Sequence, residues 1–290
     1  MRVGLLLMVA GFAAIASGAF AQAPVQSPPK GALLFSCDAA ERVEGLANAK
    51  LDQASTSPEA RAADLAAARL AIDKAAKLRE AALSGQPLEA PYGGVTHFAG
   101  LATTATSPRM AELFRRVARD QFARIHSAAA MQRVNWAAGL SDNALAYAYY
   151  FVARDICGVD EGNTAWLKAD LLANGWPIIP QFGKDADQAA FLLVQHADRD
   201  RAFQSQTLAL LEPLAEDGRT RPANYAYLFD RVAVANKQPQ RYGTQGRCTE
   251  SGVWEPFEVE APEALDARRA GLGMSSEAEY KARFSSCRRG

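Results

Sequence analysis

The stretch Gln195-His-Ala-Asp198, with Asp200 two residues on, sets an imidazole beside two carboxylates directly after the apolar run Phe191 to Val194. A histidine oriented by a carboxylate is the usual form of a general base, and an imidazole at the C-terminal end of a helix is favoured in its charged form by the dipole. The same residues admit a plainer reading, in which His196 closes a helix-helix turn and Asp198 or Asp200 caps the helix that follows. On extended chain His196, Asp198 and Asp200 would face one way as mixed metal ligands. The run before them is helical, however, and no second histidine is near, so no metal site is read here.

Two further groups accompany this stretch. Asp230 and Arg231 are neighbours on a helix and point in different directions. Either both are surface residues, or Arg231 turns inward to clamp a carboxylate or phosphate with its fork, or Asp230 meets His196. The segment Gln240-Arg-Tyr-Gly-Thr-Gln245 carries polar side chains and, with Gly246, two glycines that allow a ligand close to the backbone. Its glycine spacing is not that of a phosphate loop, and no lysine follows. As a hairpin strand it would put Gln240, Tyr242 and Thr244 on one face and Arg241, Gly243 and Gln245 on the other, or it is simply a satisfied polar edge. The candidates for catalysis are therefore His196, Asp198, Asp230 and Arg231, and those for ligand binding are Gln195, Gln240, Tyr242, Thr244 and Gln245. His126, on a helix, and His97, in a loop, have no obvious chemical partner. There is no Gly-x-Ser-x-Gly elbow for a serine nucleophile. No cofactor is read from any motif.

The elements that must position these residues are mostly helices. Asp38 can cap a helix to about Lys50, and Ser57-Pro58-Glu59 opens a long one to about Ser84, rich in Ala, Leu, Arg and Lys. Residues 85–107 hold Pro87, Pro91 and the pair Gly93-Gly94, which predict a loop and a candidate internal boundary. Helices are then expected from Pro108, from Ala144 to Ile156, from Asp160 to Gly175, from Gly183 to Val194, on to Glu216, and from Pro222 to Asn236. The aromatic cluster Tyr147, Tyr149, Tyr150 and Phe151 reads as a buried packing face; the other reading, an aromatic ligand box, has no polar anchor beside it. After Pro239 the pattern changes to a small β-hairpin, Gln240 to Cys248 returning through Val253 to Val259, and two short helices finish the chain. The fold expected is mainly α, an antiparallel helical array with a small C-terminal β-hairpin against the helices that bear His196 and Asp230.

Equal numbers of basic and acidic residues, 32 each in 290, give no field that would make nucleic acid or an anionic membrane a default partner. A hydrophobic content of 49% is ample for a core. Arg2, the apolar run Val3 to Ala16 and the small-x-small triplet Ala19-Phe-Ala21 predict a signal peptide over residues 1–21, hence an exported protein, periplasmic or secreted, with no membrane span after cleavage. A flexible leader over 22–36, a helical region over 37–159 and a helical domain with the hairpin over 160–290 complete the division. In an oxidising compartment four cysteines suggest two disulfides, read as Cys37 with Cys157 and Cys248 with Cys287.

Gly175-Trp-Pro177, Gln195-His-Ala-Asp198, Ala226-Tyr-Leu-Phe-Asp-Arg231, Gln240 to Gln245, Arg268-Arg-Ala-Gly-Leu-Gly273 and Tyr280 together resemble an uncharacterised bacterial domain family of unknown function, over about residues 160–280. The resemblance implies no activity. It implies that His196, Asp198, Asp230, Arg231, Gln240, Tyr242 and Gln245 form one recurring constellation. The function expected is an exported binding or interaction module holding a small polar ligand or a peptide. The alternative is a secreted hydrolase-like enzyme with His196 as general base and Arg231 or hairpin amides stabilising negative charge.

Overall fold

The computed structural model describes residues 37–86, 88, 91–249 and 252–284. The expected signal peptide (1–21), the leader (22–36) and Cys287 lie outside the described residues. Within them the chain is mainly α, with ten α-helices and a two-stranded antiparallel sheet near the C-terminus. It separates into two compact units between Asp160 and Glu161.

The N-terminal unit opens with a 3₁₀ turn, Cys37–Arg42, and continues through α1 (Val43–Ala54), α2 (Pro58–Leu83), α3 (Gly93–Thr104), α4 (Pro108–Gln132) and the first part of α5 (Asp142–Asn174). Ser57 caps α2 by accepting from the Ala60 amide at 3.1 Å, with Pro58 at the first position, as the sequence signature predicts. Small residues let these helices approach closely. Ala68, Ala71 and Ala75 of α2 share one buried cluster with Leu51, Trp136, Leu145 and Tyr150. Tyr147 and Tyr150 are both buried in it and pack as read, while Tyr149 and Phe151 are partly buried against it. A disulfide joins Cys37 to Cys157 across 120 residues.

The second unit is built from the rest of α5, α6 (Ile179–Gln195), α7 (Arg201–Glu216), α8 (Pro222–Ala235), β1 (Gly246–Cys248), β2 (Trp254–Pro256), α9 (Leu265–Gly271) and α10 (Glu277–Ala282). Every residue of α6 from Ala186 to Gln195 is buried, which marks it as the central helix of its unit. Asp200 caps α7 by accepting from the Phe203 amide at 2.9 Å, and a reciprocal Ser276/Glu279 capping box opens α10. In the hairpin Gly246, Arg247 and Cys248 pair with Pro256, Glu255 and Trp254.

Four expectations need correction. Residues 93–104 are helix rather than loop, so His97 lies on α3. Val95, Phe98 and Ala99 are buried there, and that apolar stripe outweighs the roughly 1 kcal/mol each glycine costs a helix. The two helices expected over Ala144 to Ile156 and Asp160 to Gly175 are one, Asp142–Asn174: no proline interrupts α5, and Gly158 and Gly162 ride in it with open space around them. Helix α6 begins at Ile179, ahead of the expected Gly183, and turns at that glycine, whose φ of 82° is left-handed. Finally, residues 240–245 are not a strand. Gln240 makes an isolated bridge to Val259 and Gln245 accepts from the Phe257 amide at 3.0 Å, but the amides of Arg241, Tyr242 and Thr244 that would complete a strand are committed elsewhere.

Candidate functional site

Those amides are committed to Asp230. Its carboxylate is fully buried near the end of α8. Oδ1 accepts from the backbone N–H of Arg241 at 2.8 Å and of Tyr242 at 3.0 Å, and Oδ2 from the Thr244 N–H at 2.8 Å and the Thr244 hydroxyl at 2.9 Å. Burial pushes its pKa above the ordinary value, against the opposing pull of those four donors. A carboxylate offers about four acceptor positions, and here one loop fills them all. Helix α8 holds the anion, and the chain that leaves α8 curls back over it.

The curl is fastened from its other sides. Gln240, also fully buried, donates to the Gln245 carbonyl at 2.8 Å and the Phe257 carbonyl at 2.9 Å, and accepts from the Gln245 amide at 2.8 Å. From α9, Arg268 Nε reaches the Arg241 carbonyl at 2.9 Å, and Arg269 Nη1 reaches the Tyr242 carbonyl at 2.6 Å. The Tyr280 hydroxyl of α10 donates to the Thr244 carbonyl at 3.1 Å, and its ring lies 4.9 Å beneath the Arg269 guanidinium. Arg268, Arg269 and Tyr280 were prominent in the sequence motifs but were not among the candidate site residues; their pairing with carbonyls 27 to 36 positions away has no local signature.

His196 and Asp198 belong to a second arrangement. His196 is 6% exposed and ends α6, its amide bonded to the Leu192 carbonyl at 3.3 Å. Asp198 makes a two-point ion pair with Arg231: Nε to Oδ1 at 2.7 Å and Nη2 to Oδ2 at 2.6 Å. Gln204 adds a third donor at 3.2 Å. Burial opposes the charge on Asp198, but Arg231, Gln204 and His196 outweigh it, and the pKa lies below the ordinary carboxylate value. The Asp198 side chain is 57% exposed and that of Arg231 18%, so this pair, unlike Asp230, reaches solvent.

A further buried carboxylate of this unit is absent from the candidates read from the sequence. Asp187, fully buried on α6, accepts from Trp176 Nε1 at 2.8 Å, from the Thr220 hydroxyl, from the Arg221 amide at 3.1 Å and from Asn224 Nδ2 at 2.9 Å. It staples the start of α8 to the Trp176-Pro177 corner. The signal was present in the sequence: an aspartate within Ala186 to Val194, a stretch too apolar to face water on any side.

The candidates thus fall into two sets. Asp230 gathers Arg241, Tyr242 and Thr244, with Gln240 and Gln245 clasping each other beside it, while Asp198 gathers Arg231 and Gln204. The oxygens of Asp230 are spent on the loop and not on His196. For proton transfer a carboxylate must have a free acceptor position and a pKa near the working pH. Asp230 lacks the first, and Asp198, ionised and doubly held, lacks the second. Among the described residues, no group of three His, Cys, Asp or Glu side chains is placed to hold a metal ion, and no helix is long and apolar enough to cross a membrane.

No curated protein and no solved structure matches the chain. The sequence profile of a family of unknown function (DUF6624) matches residues 126–286, more than half of the 290 residues. This takes in the whole constellation from Trp176 to Tyr280 and extends upstream of the resemblance read at 160–280. The chain belongs to that family.

Proposed function

We propose that the protein is an exported binding or interaction module, in which the buried polar constellation fixes a rigid binding surface and does no chemistry. The observation that carries this reading is the saturation of Asp230: four donors from Arg241, Tyr242 and Thr244 fill its acceptor positions in a fully buried site. Held from beneath by Asp230 and from the side by Arg268, Arg241 has its guanidinium 4.4 Å above the Phe229 ring. With the solvent-reaching Asp198–Arg231 pair it supplies oriented charges of both signs for a small polar ligand or a peptide. The signal-peptide pattern of residues 1–21 and the Cys37–Cys157 disulfide, a bond favoured in oxidising compartments, support export.

A thermal-shift screen of polar metabolites and short peptides tests the reading. A ligand at 100 times its Kd adds about 2.7 kcal/mol of stability, and the Asp198→Ala, Arg231→Ala double variant, folded by circular dichroism, should lose that gain. A hydrolytic activity in the wild-type protein that His196→Gln removes without loss of folding would overturn it.

A further inference from the structure

The N-terminal unit contains a cavity of about 490 Å³ between α2, α4 and α5, within the size range of small-molecule sites. It lies outside the constellation described above, and its α2 wall, with Arg119, Phe122 and Ala123 of α4, precedes the residues matched by the family profile. Its floor is apolar, formed by Ile72, Phe122, Phe151 and Val152 among others, while Arg79, Arg119 and Arg154 contribute three guanidiniums and Asp155 one carboxylate. Arg79 Nη1 lies 3.4 Å from Asp155, and Arg154 sits 5.4 Å from the centre of the Phe151 ring. Counting unit charges in the lining leaves two positive in excess over an oily base.

His126 also lines the cavity. It is 3% exposed, its Nε2 is 3.3 Å from the Tyr92 hydroxyl, and its ring packs 3.8 Å from that of Phe122. Burial, with the positive charge of Arg79 adding to it, drives its pKa down to about 3. The ring is therefore neutral at ordinary pH and adds aromatic surface with one polar edge. Burial disfavours a charge of either sign here, whereas the Arg79 charge that adds to the shift favours an anion in the same space.

We propose that this cavity is a binding site for an amphipathic monocarboxylate, whose apolar body fills the space over Phe122 and Phe151 and whose carboxylate meets Arg119 and Arg154. A guanidinium fork matches a carboxylate in shape as well as charge. A cation of equal size finds two like charges in excess, and a neutral alcohol loses the charge-assisted contacts while keeping the apolar ones. The site is independent of the Asp198–Arg231 surface, so the two readings stand or fall separately.

Calorimetric titration of the full mature chain with decanoate, decanol and decylamine, each kept below its micelle concentration, tests the proposal. Decanoate should bind, decanol should bind roughly tenfold or more weakly, and decylamine should not bind. The Arg119→Glu, Arg154→Glu double variant alters two exposed side chains. It should weaken decanoate by at least roughly tenfold and leave decanol unchanged. Ala76→Trp, placed at a half-buried position of the wall, should abolish both, with an unaltered circular dichroism spectrum showing that the fold persists. Isotope-edited contacts from labelled decanoate to the Phe122 and Phe151 rings give a second readout should Ala76→Trp fail to fold. The proposal is overturned by the absence of decanoate binding at about 1 mM, by decylamine binding as tightly, or by decanoate affinity unmoved by the charge reversal.

Discussion

Asp187 and Asp230 are each fully buried and each met by four donors, and two such carboxylates in one unit make a shared physical case. A buried charge is tolerated when its acceptor positions are filled, and removing part of that set leaves orphaned donors. In Asp230→Asn one oxygen becomes an NH₂ group that must face either the Arg241 and Tyr242 amides or the Thr244 amide and hydroxyl. The expected loss is about 2 to 3 kcal/mol in urea unfolding, with faster hydrogen exchange at Tyr242 and Thr244. An unchanged midpoint would mean that the loop is not held by this carboxylate.

His126 predicts a pH dependence whose sign is fixed by its surroundings, namely Arg79, Tyr92 and, in the cavity lining, Asp155. The unfolded ring titrates near 6.5 and the folded one near 3, so the native protein binds fewer protons between those values. Its stabilising contribution is complete above about pH 6.5 and is lost as pH falls toward 3. The raised pKa values of Asp187 and Asp230 act oppositely: their contribution is full below 3.8 and is lost as pH rises through the shifted values. Comparison with His126→Gln isolates the histidine. The wild type should gain on the variant by up to about 1.4 kcal/mol per pH unit between about pH 4 and 6, and a flat difference would show a ring that protonates without hindrance. At this scale the sequence revealed which side chains are special but not what they face. Asp230 stood out by type, yet its partners lie 11 to 14 residues onward, and the Tyr92 partner of His126 lies 34 residues back.

At the scale of elements, local signals were legible where the chain itself completes the interaction. Ser57-Pro58 and Asp200 mark helix starts because a cap is satisfied three residues on, and Gly218 closes α7 in the left-handed region. Legibility failed where packing or a distant charge decides. Helix α3 exists because its apolar face is buried, despite Gly93 and Gly94, and residues 240–245 depart from strand geometry because Asp230 takes their amides. The hairpin offers a sharp test. A methyl group added at Gly246 would lie 2.3 Å from the Glu255 carbonyl oxygen and 2.4 Å from the Trp254 ring, and that ring is stacked 4.7 Å from Phe284. Neither neighbour is the free end of a flexible side chain. Gly246→Ala should therefore cost about 1 to 3 kcal/mol, read as a lowered urea midpoint together with a change in the near-ultraviolet dichroism of Trp254.

For the whole molecule, the mainly α class with a small terminal hairpin follows from helix-forming composition and the late change of pattern after Pro239, both of which are local properties summed along the chain. The Cys37–Cys157 bond is of another kind: it closes a loop of 120 residues, and its stabilising effect acts largely through the unfolded chain. A Cys37→Ser, Cys157→Ser double variant should lose roughly 2 to 5 kcal/mol of stability, seen as a lower urea midpoint against the unreduced wild type. The same bond bears on cleavage. Arg133 is exposed in the left-handed region just after α4, in the connection that leads to α5, and it lies between the two cysteines in sequence. Trypsin acting there would divide the polypeptide into two while the sulfur bridge kept the halves as one particle, so the cut would pass unseen on a gel until a thiol was added.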